Sequence, residues 1–191
     1  MSTNLKKFIR RFVSLSDNEL EEVVSKFKRK PVKKNTYVFR QGDTCKDFVF
    51  VDKGCLRLYY VKDGIEVSVW FAFQPSSAIE VYSFISEKPS DYFLQAIEDS
   101  EVLYLPKTEL KKMYQSHPKM QEMMRNYWEA ALLELINRFT ALEKDSAEKR
   151  YLDLINNTDY LGTIPQKYLA SFIGVTPTSL SRIRRKIIRE H

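Results

Sequence analysis

The stretch Gly174-Val175-Thr176-Pro177-Thr178-Ser179-Leu180-Ser181-Arg182-Ile183-Arg184-Arg185-Lys186-Ile187, GVTPTSLSRIRRKI, decides how this chain is read. Thr176 offers a hydroxyl to cap a helix, and Pro177 brings a preset φ to the first helical position, so a helix can begin abruptly after a turn at Gly174. Just upstream, IPQKYLASFIG reads as a second short helix. Leu169, Ala170, Ile173, Val175, Leu180 and Ile183 place apolar side chains where two such helices cross, with a small residue at the closest approach and glycine in the turn. That is a helix-turn-helix pattern. With Leu180, Ile183 and Ile187 facing inward, Thr178, Ser179, Arg182, Arg185, Lys186 and Arg189 are left on or near the outer face. Arg can pair bidentately with guanine in a major groove, and Thr or Ser can reach bases or phosphates.

The charge distribution points the same way. The chain carries a formal net charge of +6, of which residues 164–191 hold +5: Lys167, Arg182, Arg184, Arg185, Lys186 and Arg189 against Glu190. Such asymmetry implies a polyanionic partner, here double-stranded DNA, with Lys167 and nearby backbone amides on phosphates. A solvated helix face is the plain alternative that charge alone leaves open.

Outward from this end, KTELKKMYQSHPKMQEMMRNYWEAALLELINRFTALEKDSAEKRYLDLIN reads as helix, with Pro118 in the first turn of its long piece and Ser146 as a cap after a break. Trp128, Leu132, Leu135, Phe139 and Leu142 recur at steps of 4, 3, 4 and 3. This heptad seam is too short for an independent coiled coil, yet long enough to pair two protomers that already fold; the alternative is a helix packing on its own domain. Residues 31–106 have another texture: TYVFRQGD, DFVFVDKG, CLRLYYVKDG, EVSVWFAF and FLQAIEDSEVLYLP are short Val-, Phe- and Tyr-rich strands. Gly42, Gly54 and Gly64 sit among polar residues between them as hairpin signals. Strands so spaced suggest an antiparallel barrel or roll. Before them, Leu5, Phe8, Ile9, Phe12 and Val13 have helical spacing, and Ser16 with Glu19 forms a capping-box pattern.

Composition excludes several classes. At 191 residues and 43% apolar content the chain can bury a sizeable core. It has no apolar run near the ~20 residues of a membrane span, and its start lacks the features of a secretory signal, so a cytoplasmic location with no membrane contact is expected. Cys45 and Cys55 suit neither a disulfide framework nor a metal site and read as buried or indifferent thiols. His117 and His191 are the only histidines. No metal site, cofactor, nucleophile motif or phosphate loop is legible, and an enzyme is not expected.

Taken together, this order of elements resembles the superfamily of bacterial transcription regulators named for the cAMP receptor protein and the fumarate-nitrate regulator (Crp/Fnr), over nearly the full chain. VFRQGDTCKDFVFVDKGCLRLYY is similar to its cyclic-nucleotide-binding roll, residues 118–143 to its dimer helix, and 163–191 to its DNA-reading motif, whose QKYLASFIGVTPTSLSRIRRKI sequence is most similar to the branch found in Bacteroidetes. The resemblance implies an α+β fold: a sensor domain with an N-terminal double-stranded β-helix (jelly roll) over 1–117, a dimerisation helix and hinge over 118–145, and a helix-turn-helix domain without an extended wing over 146–191. It implies a homodimer, admits RNA polymerase as a partner, and puts Thr178, Ser179 and Arg182 at base-reading positions, with Thr176, Arg185, Lys186 and Arg189 also on the DNA side.

Two departures from the family pattern stand out. Nucleotide-binding members carry a phosphate cassette of roughly Gly-Glu-Leu followed by Arg-Ser or Arg-Thr. The matching segment here is AIEVYSFISEKPSDYF. Glu80 stands where the family's ribose-contacting Glu stands, with Val81 and Tyr82 after it, but Ile79 replaces the glycine and Ser90-Asp91 replaces Arg-Ser. Loss of the guanidinium partner and the added negative charge of Asp91 predict that cAMP is not the effector, while Lys88 leaves room for another small anion. Second, the sequence ends at His191, where many members continue into a wing. The alternative function is a ligand-sensing signalling module acting through a protein partner instead of DNA.

Overall fold

The computed structural model describes residues 2–157, 162 and 164–190. Two helices open the chain. α1 (Thr3–Arg10) buries Leu5, Phe8 and Ile9, and α2 (Asp17–Ser25) starts on the expected capping box, with the Ser16 hydroxyl accepting from the Glu19 N–H and the Glu19 carboxylate accepting from the Ser16 N–H. These contacts satisfy two donors that a helix start leaves unpaired.

The strands are β1 (Lys28–Val32), β2 (Tyr37–Phe39), β3 (Asp47–Lys53), β4 (Cys55–Lys62), β5 (Ile65–Phe73), β6 (Ser76–Ser77), β7 (Phe93–Ala96) and β8 (Ser100–Pro106), with a short helix α3 (Val81–Ser86) between β6 and β7. They form two four-stranded antiparallel sheets, ordered β1-β8-β3-β6 and β2-β7-β4-β5, the roll that the hairpin signals predicted. Hairpin β4–β5 turns at Asp63-Gly64, both with positive φ as a tight hairpin loop demands. Strand β1 was not legible from the residues alone. Its residues KRKPV are exposed except for Val32, because β1 is an edge strand, and an edge carrying Lys, Arg and Pro shows no buried alternation.

Residues Phe48, Phe50, Leu56, Ala72, Leu94 and Leu105 fill the roll, and Phe8 of α1 packs on Phe50 with ring centroids 5.1 Å apart. α4 (Lys107–Ser116) leads to α5 (Pro118–Lys144), with Pro118 in the first turn. The N-terminal part of α5 buries Met120, Met123, Met124 and Tyr127 in the same core.

Three more helices follow: α6 (Ala147–Asn157), whose start is capped when the Ser146 hydroxyl accepts from the Lys149 N–H, α7 (Gln166–Phe172) and α8 (Pro177–Glu190). A second apolar cluster joins Tyr151, Ile164, Leu169, Ala170, Ile173 and Leu180 to Cys55, Phe71 and Ile97 of the roll. The C-terminal helices therefore rest on the outer face of the β2-β7-β4-β5 sheet. The bounds Thr163 and His191 of the expected reading motif lie outside the described residues. Among the described residues no helix is long and apolar enough to cross a membrane.

At the turn between β3 and β4 the backbone runs close against Ser100. Gly54 has φ +90°, and a Cβ there would lie 2.4 Å from Ser100 Oγ and 2.9 Å from Ser100 Cα. Gly54→Ala should destabilise the protein by about 2–4 kcal/mol through left-handed backbone strain plus overpacking. Urea unfolding followed by circular dichroism measures this, and a loss below about 1 kcal/mol would show that the turn can relax.

Candidate nucleic-acid interface and effector region

Helices α7 and α8 are built as the spacing predicts. Leu169, Ala170, Ile173 and Leu180 are buried between them, Gly174 takes φ +76° in the turn, and the Val175 N–H closes the turn on the Ala170 carbonyl at 2.9 Å. Thr176 Oγ1 accepts from the Ser179 N–H (3.2 Å) and contacts the Ser179 hydroxyl (3.0 Å). Thr176 thus caps α8, and Ser179 is half-buried beside it. Gln166 of α7 reaches Ser181 of α8 at 2.5 Å.

On the free side of α8, Thr178, Arg182, Arg184, Arg185, Lys186 and Arg189 are exposed, and Arg182, Arg185, Lys186 and Arg189 line one shallow groove. Lys186 is tied to Glu148 of α6 at 2.7 Å. Neither Arg182 nor Arg185 forms an ion pair with another described residue. Lys167 is exposed in the first turn of α7, with its ammonium 4.8 Å from the Tyr168 ring centroid.

The seam residues divide. Trp128 is half-buried against the protomer's own core, 4.8 Å from the Tyr127 ring and 6.2 Å from Phe84. Leu132, Leu135 (58% exposed), Phe139 (65% exposed) and Leu142 do face outward, joined by Leu133 and Ile136, which heptad counting passed over. Such a contiguous apolar band is unusual on an unpartnered helix.

The residues expected around an effector are engaged with one another. Glu80 is buried, and its two carboxylate oxygens accept from the Tyr82 and Ser83 N–H groups, each at 2.9 Å, capping α3. The Ser83 hydroxyl donates to the Lys88 carbonyl (2.5 Å) and accepts from the Cys45 N–H (2.9 Å). Ser90 is buried: its carbonyl accepts from the Gly42 N–H (2.8 Å), and its hydroxyl accepts from the Tyr92 N–H (3.0 Å). Val81, Tyr82, Lys88 and Asp91 are exposed. Asp91 lies with Gln41, Tyr60, Val61 and Tyr92 along a second shallow groove at the rim of the roll. Phe84 belongs to the roll core, whereas Phe71 packs against Phe172 of α7 at 5.0 Å on the outer side of the sheet. Both cysteines are free and buried. Burial pushes the Cys45 thiol up to about 11 and the Cys55 thiol further still, so neither is poised as a thiolate near neutral pH.

The sequence did not reveal what seats α7. Arg57 of β4 is wholly buried: its Nε donates to Ser68 Oγ (2.8 Å), its Nη1 to Glu66 (2.7 Å), and its guanidinium lies 3.6 Å from the Tyr168 ring centroid. Arg138 of α5 donates to the Phe172 carbonyl (3.0 Å) and covers the Phe172 ring, and burial, with the nearby charge of Arg150, brings its pKa down to about 10. Arg150 donates to the Ile173 carbonyl at 2.9 Å. Leu56-Arg57-Leu58 alternates as a strand with one face in water does, so the sequence carried no signal that Arg57 is covered.

The chain combines a roll of two antiparallel sheets, a long helix and a helix-turn-helix unit, and over the roll the family comparison agrees: the model of the cyclic nucleotide-binding domain matches residues 29–117. The chain is also similar, over most of its length, to bacterial regulatory proteins. It is 21% identical over 183 positions, 89% of this chain and 73% of the relative, to electron transport regulator A of Shewanella oneidensis. It matches the fumarate and nitrate reduction regulatory protein of Yersinia pestis at the same identity and coverage. Among solved structures, the c-di-GMP-responsive global regulator CLP of Xanthomonas campestris shares the fold with a TM-score of 0.70 at 16% identity, covering 92% of this chain and 93% of that one.

Proposed function

We propose that this protein is a cytoplasmic, homodimeric DNA-binding transcription regulator whose sensor pocket does not accept cAMP. The observation that carries the reading is the free cationic side of α8: Thr178, Arg182, Arg185 and Arg189 are exposed on a helix whose opposite side is anchored through Leu180. Arg182 reads a guanine edge, Thr178 and Ser179 lie beside it, Lys167 neutralises a phosphate, and Arg185, Lys186 and Arg189 add charge along the groove. Binding Lys186 to DNA requires it to leave Glu148, an exposed pair that contributes little. The similarity to regulatory proteins supports this class, and assignment to the Bacteroidetes-type branch rests on the QKYLASFIG and TPTSLSRIRRKI stretches alone.

The exposed band of α5 is the surface on which a second protomer packs. A dimer would set two reading helices in successive major grooves of a near-palindromic site, about one helical turn apart. The effector region supports an altered ligand preference. The carboxylate of Glu80 already takes the backbone donors at the start of α3, and the Ser90-Asp91 pair offers no guanidinium. A cyclic phosphate would meet negative charge where it needs a cation. A small effector, if one acts here, has different chemistry, with Lys88 as the nearest cation.

Three measurements test the proposal. Duplexes selected from a random library should be bound with an affinity that falls steeply as salt rises, and Arg182→Ala should cost about 1–3 kcal/mol on the selected site and relax preference at one base pair, while Lys167→Ala should weaken all sequences alike. Equal losses for both variants on selected and random DNA would remove Arg182 from base reading. In ultracentrifugation the wild-type chain should sediment as a dimer and the Leu135→Glu/Phe139→Glu double variant as a monomer; a persistent dimer moves the interface elsewhere. Calorimetric titration with cAMP should show no binding tighter than about 10 μM, equivalent to roughly 7 kcal/mol, and tighter binding overturns the altered pocket.

A further inference from the structure

The outer face of the β2-β7-β4-β5 sheet carries a stack of rings and cations that runs into the reading unit. Phe93 stacks on Tyr59 with centroids 5.0 Å apart and planes 13° from parallel. The Arg57 guanidinium lies between two rings, 4.2 Å from Tyr59 and 3.6 Å from Tyr168 of α7. Beside it, the Ser68 N–H of β5 donates to the Ser171 hydroxyl (3.1 Å), and the two serine hydroxyls are 2.9 Å apart. Arg57 has no exposed surface, and its Nη2 is buried without a hydrogen-bond partner. Burying a guanidinium with one donor unmet is costly, and an apolar side chain would fill the same volume without that cost. What the guanidinium adds is direction: it faces two rings while its Nε and Nη1 hold Ser68 and Glu66, a geometry that a featureless apolar side chain would not impose on α7.

We propose that Arg57 is a positioning residue for DNA recognition. It seats α7 on the sensor sheet and thereby fixes the orientation of α8 relative to α5. The inference rests on the DNA-reading function proposed above. Because α7 and α8 share the buried contacts of Leu169, Ala170, Ile173 and Leu180, whatever holds α7 holds α8. The seat has other sides, since Arg138 of α5 and Arg150 of α6 hold the carbonyls of Phe172 and Ile173 from either side of the Asp145 break. Docking engages Tyr168, Ser171 and Phe172 and leaves Thr178, Arg182, Arg185 and Arg189 exposed, so the contact orients the reading face without covering it. In a dimer that reads two half-sites, fixed orientation raises the effective concentration of the second helix at its groove once the first is bound. Arg57 also lies between Leu56 and Leu58, which pack into the roll core, so a shift inside the roll that moves β4 moves the seat of α7.

The test uses full-length Arg57→Met, which keeps the volume and removes the charge, Tyr168→Leu on the other side of the contact, and the double variant. Hydrogen exchange of peptides spanning residues 166–173 should quicken about tenfold or more in each single variant, with β3 unchanged. The double variant should exchange no faster than either single one, because both break one contact. On duplexes selected by the wild-type protein, the variants should lose about tenfold or more on a two-half-site duplex and stay within about twofold on a duplex carrying one half-site. Unchanged exchange over α7 in Arg57→Met overturns the docking role. Equal losses on both duplexes, or a gain on the two-half-site duplex, overturn positioning, the first indicating damage to the reading unit and the second a contact that holds it off DNA. If the wild-type chain selects no duplex, DNA reading has failed and positioning with it, while exchange still decides whether Arg57 seats α7.

Discussion

The structure depends on one sheet being covered on both faces. Along β4, Leu56 turns into the roll core while Cys55 and Arg57 turn the other way, and all three are buried. A roll standing alone would leave the outer row in water, with a guanidinium and rings of Tyr59, Phe71 and Phe93 uncovered. Helix α7 supplies the missing cover. Burying an apolar side chain of this size contributes roughly 1.5–3 kcal/mol, so the second cluster makes the C-terminal helices part of the fold and not an appendage on a linker.

This shared sheet arranges the other parts. Helix α5 begins inside the protomer, with Met120, Met123, Met124 and Tyr127 buried, and ends outside it, with Leu135 and Phe139 in solvent. One helix thus carries a core side and, a few turns later, a surface suited to a partner. The HTH unit divides its surfaces in the same manner. One side of α7 meets the roll, the crossing of α7 with α8 is apolar, and the far side of α8 is cationic. No residue proposed to contact DNA through a base is needed to hold the unit together, so charge can accumulate there at little cost in stability.

At the other end of the roll, the segment from Glu80 to Tyr92 satisfies its polar groups from within. Glu80 caps α3, Ser83 bridges Cys45 and Lys88, and Ser90 joins two loops. A buried carboxylate held by backbone N–H groups stands against an anionic ligand at the same donors. The family resemblance located this segment, but only the hydrogen-bond pattern shows that Glu80 serves the chain's own helix.

Much of this was legible in the residues. The capping box at Ser16 and Glu19, the Asp63-Gly64 hairpin, Pro118 in the first turn of α5 and Thr176 capping α8 are local devices, decided within a few residues of each other, and all are present. The same holds for the helix-turn-helix spacing and the cationic side of α8. Strand β1 was hidden because an edge strand need not alternate, and a heptad count does not separate Trp128, which packs on the protomer's own core, from Leu135 and Phe139, which face outward. Sequence alone set the local elements and the charge of the last helix, since capping, turn chemistry and periodicity act over short range. Only tertiary structure decided that Arg57 meets Tyr168, that Glu80 closes on α3 and that α5 leaves the core after Ala131, because each brings together groups whose energies depend on burial that neighbouring residues do not fix.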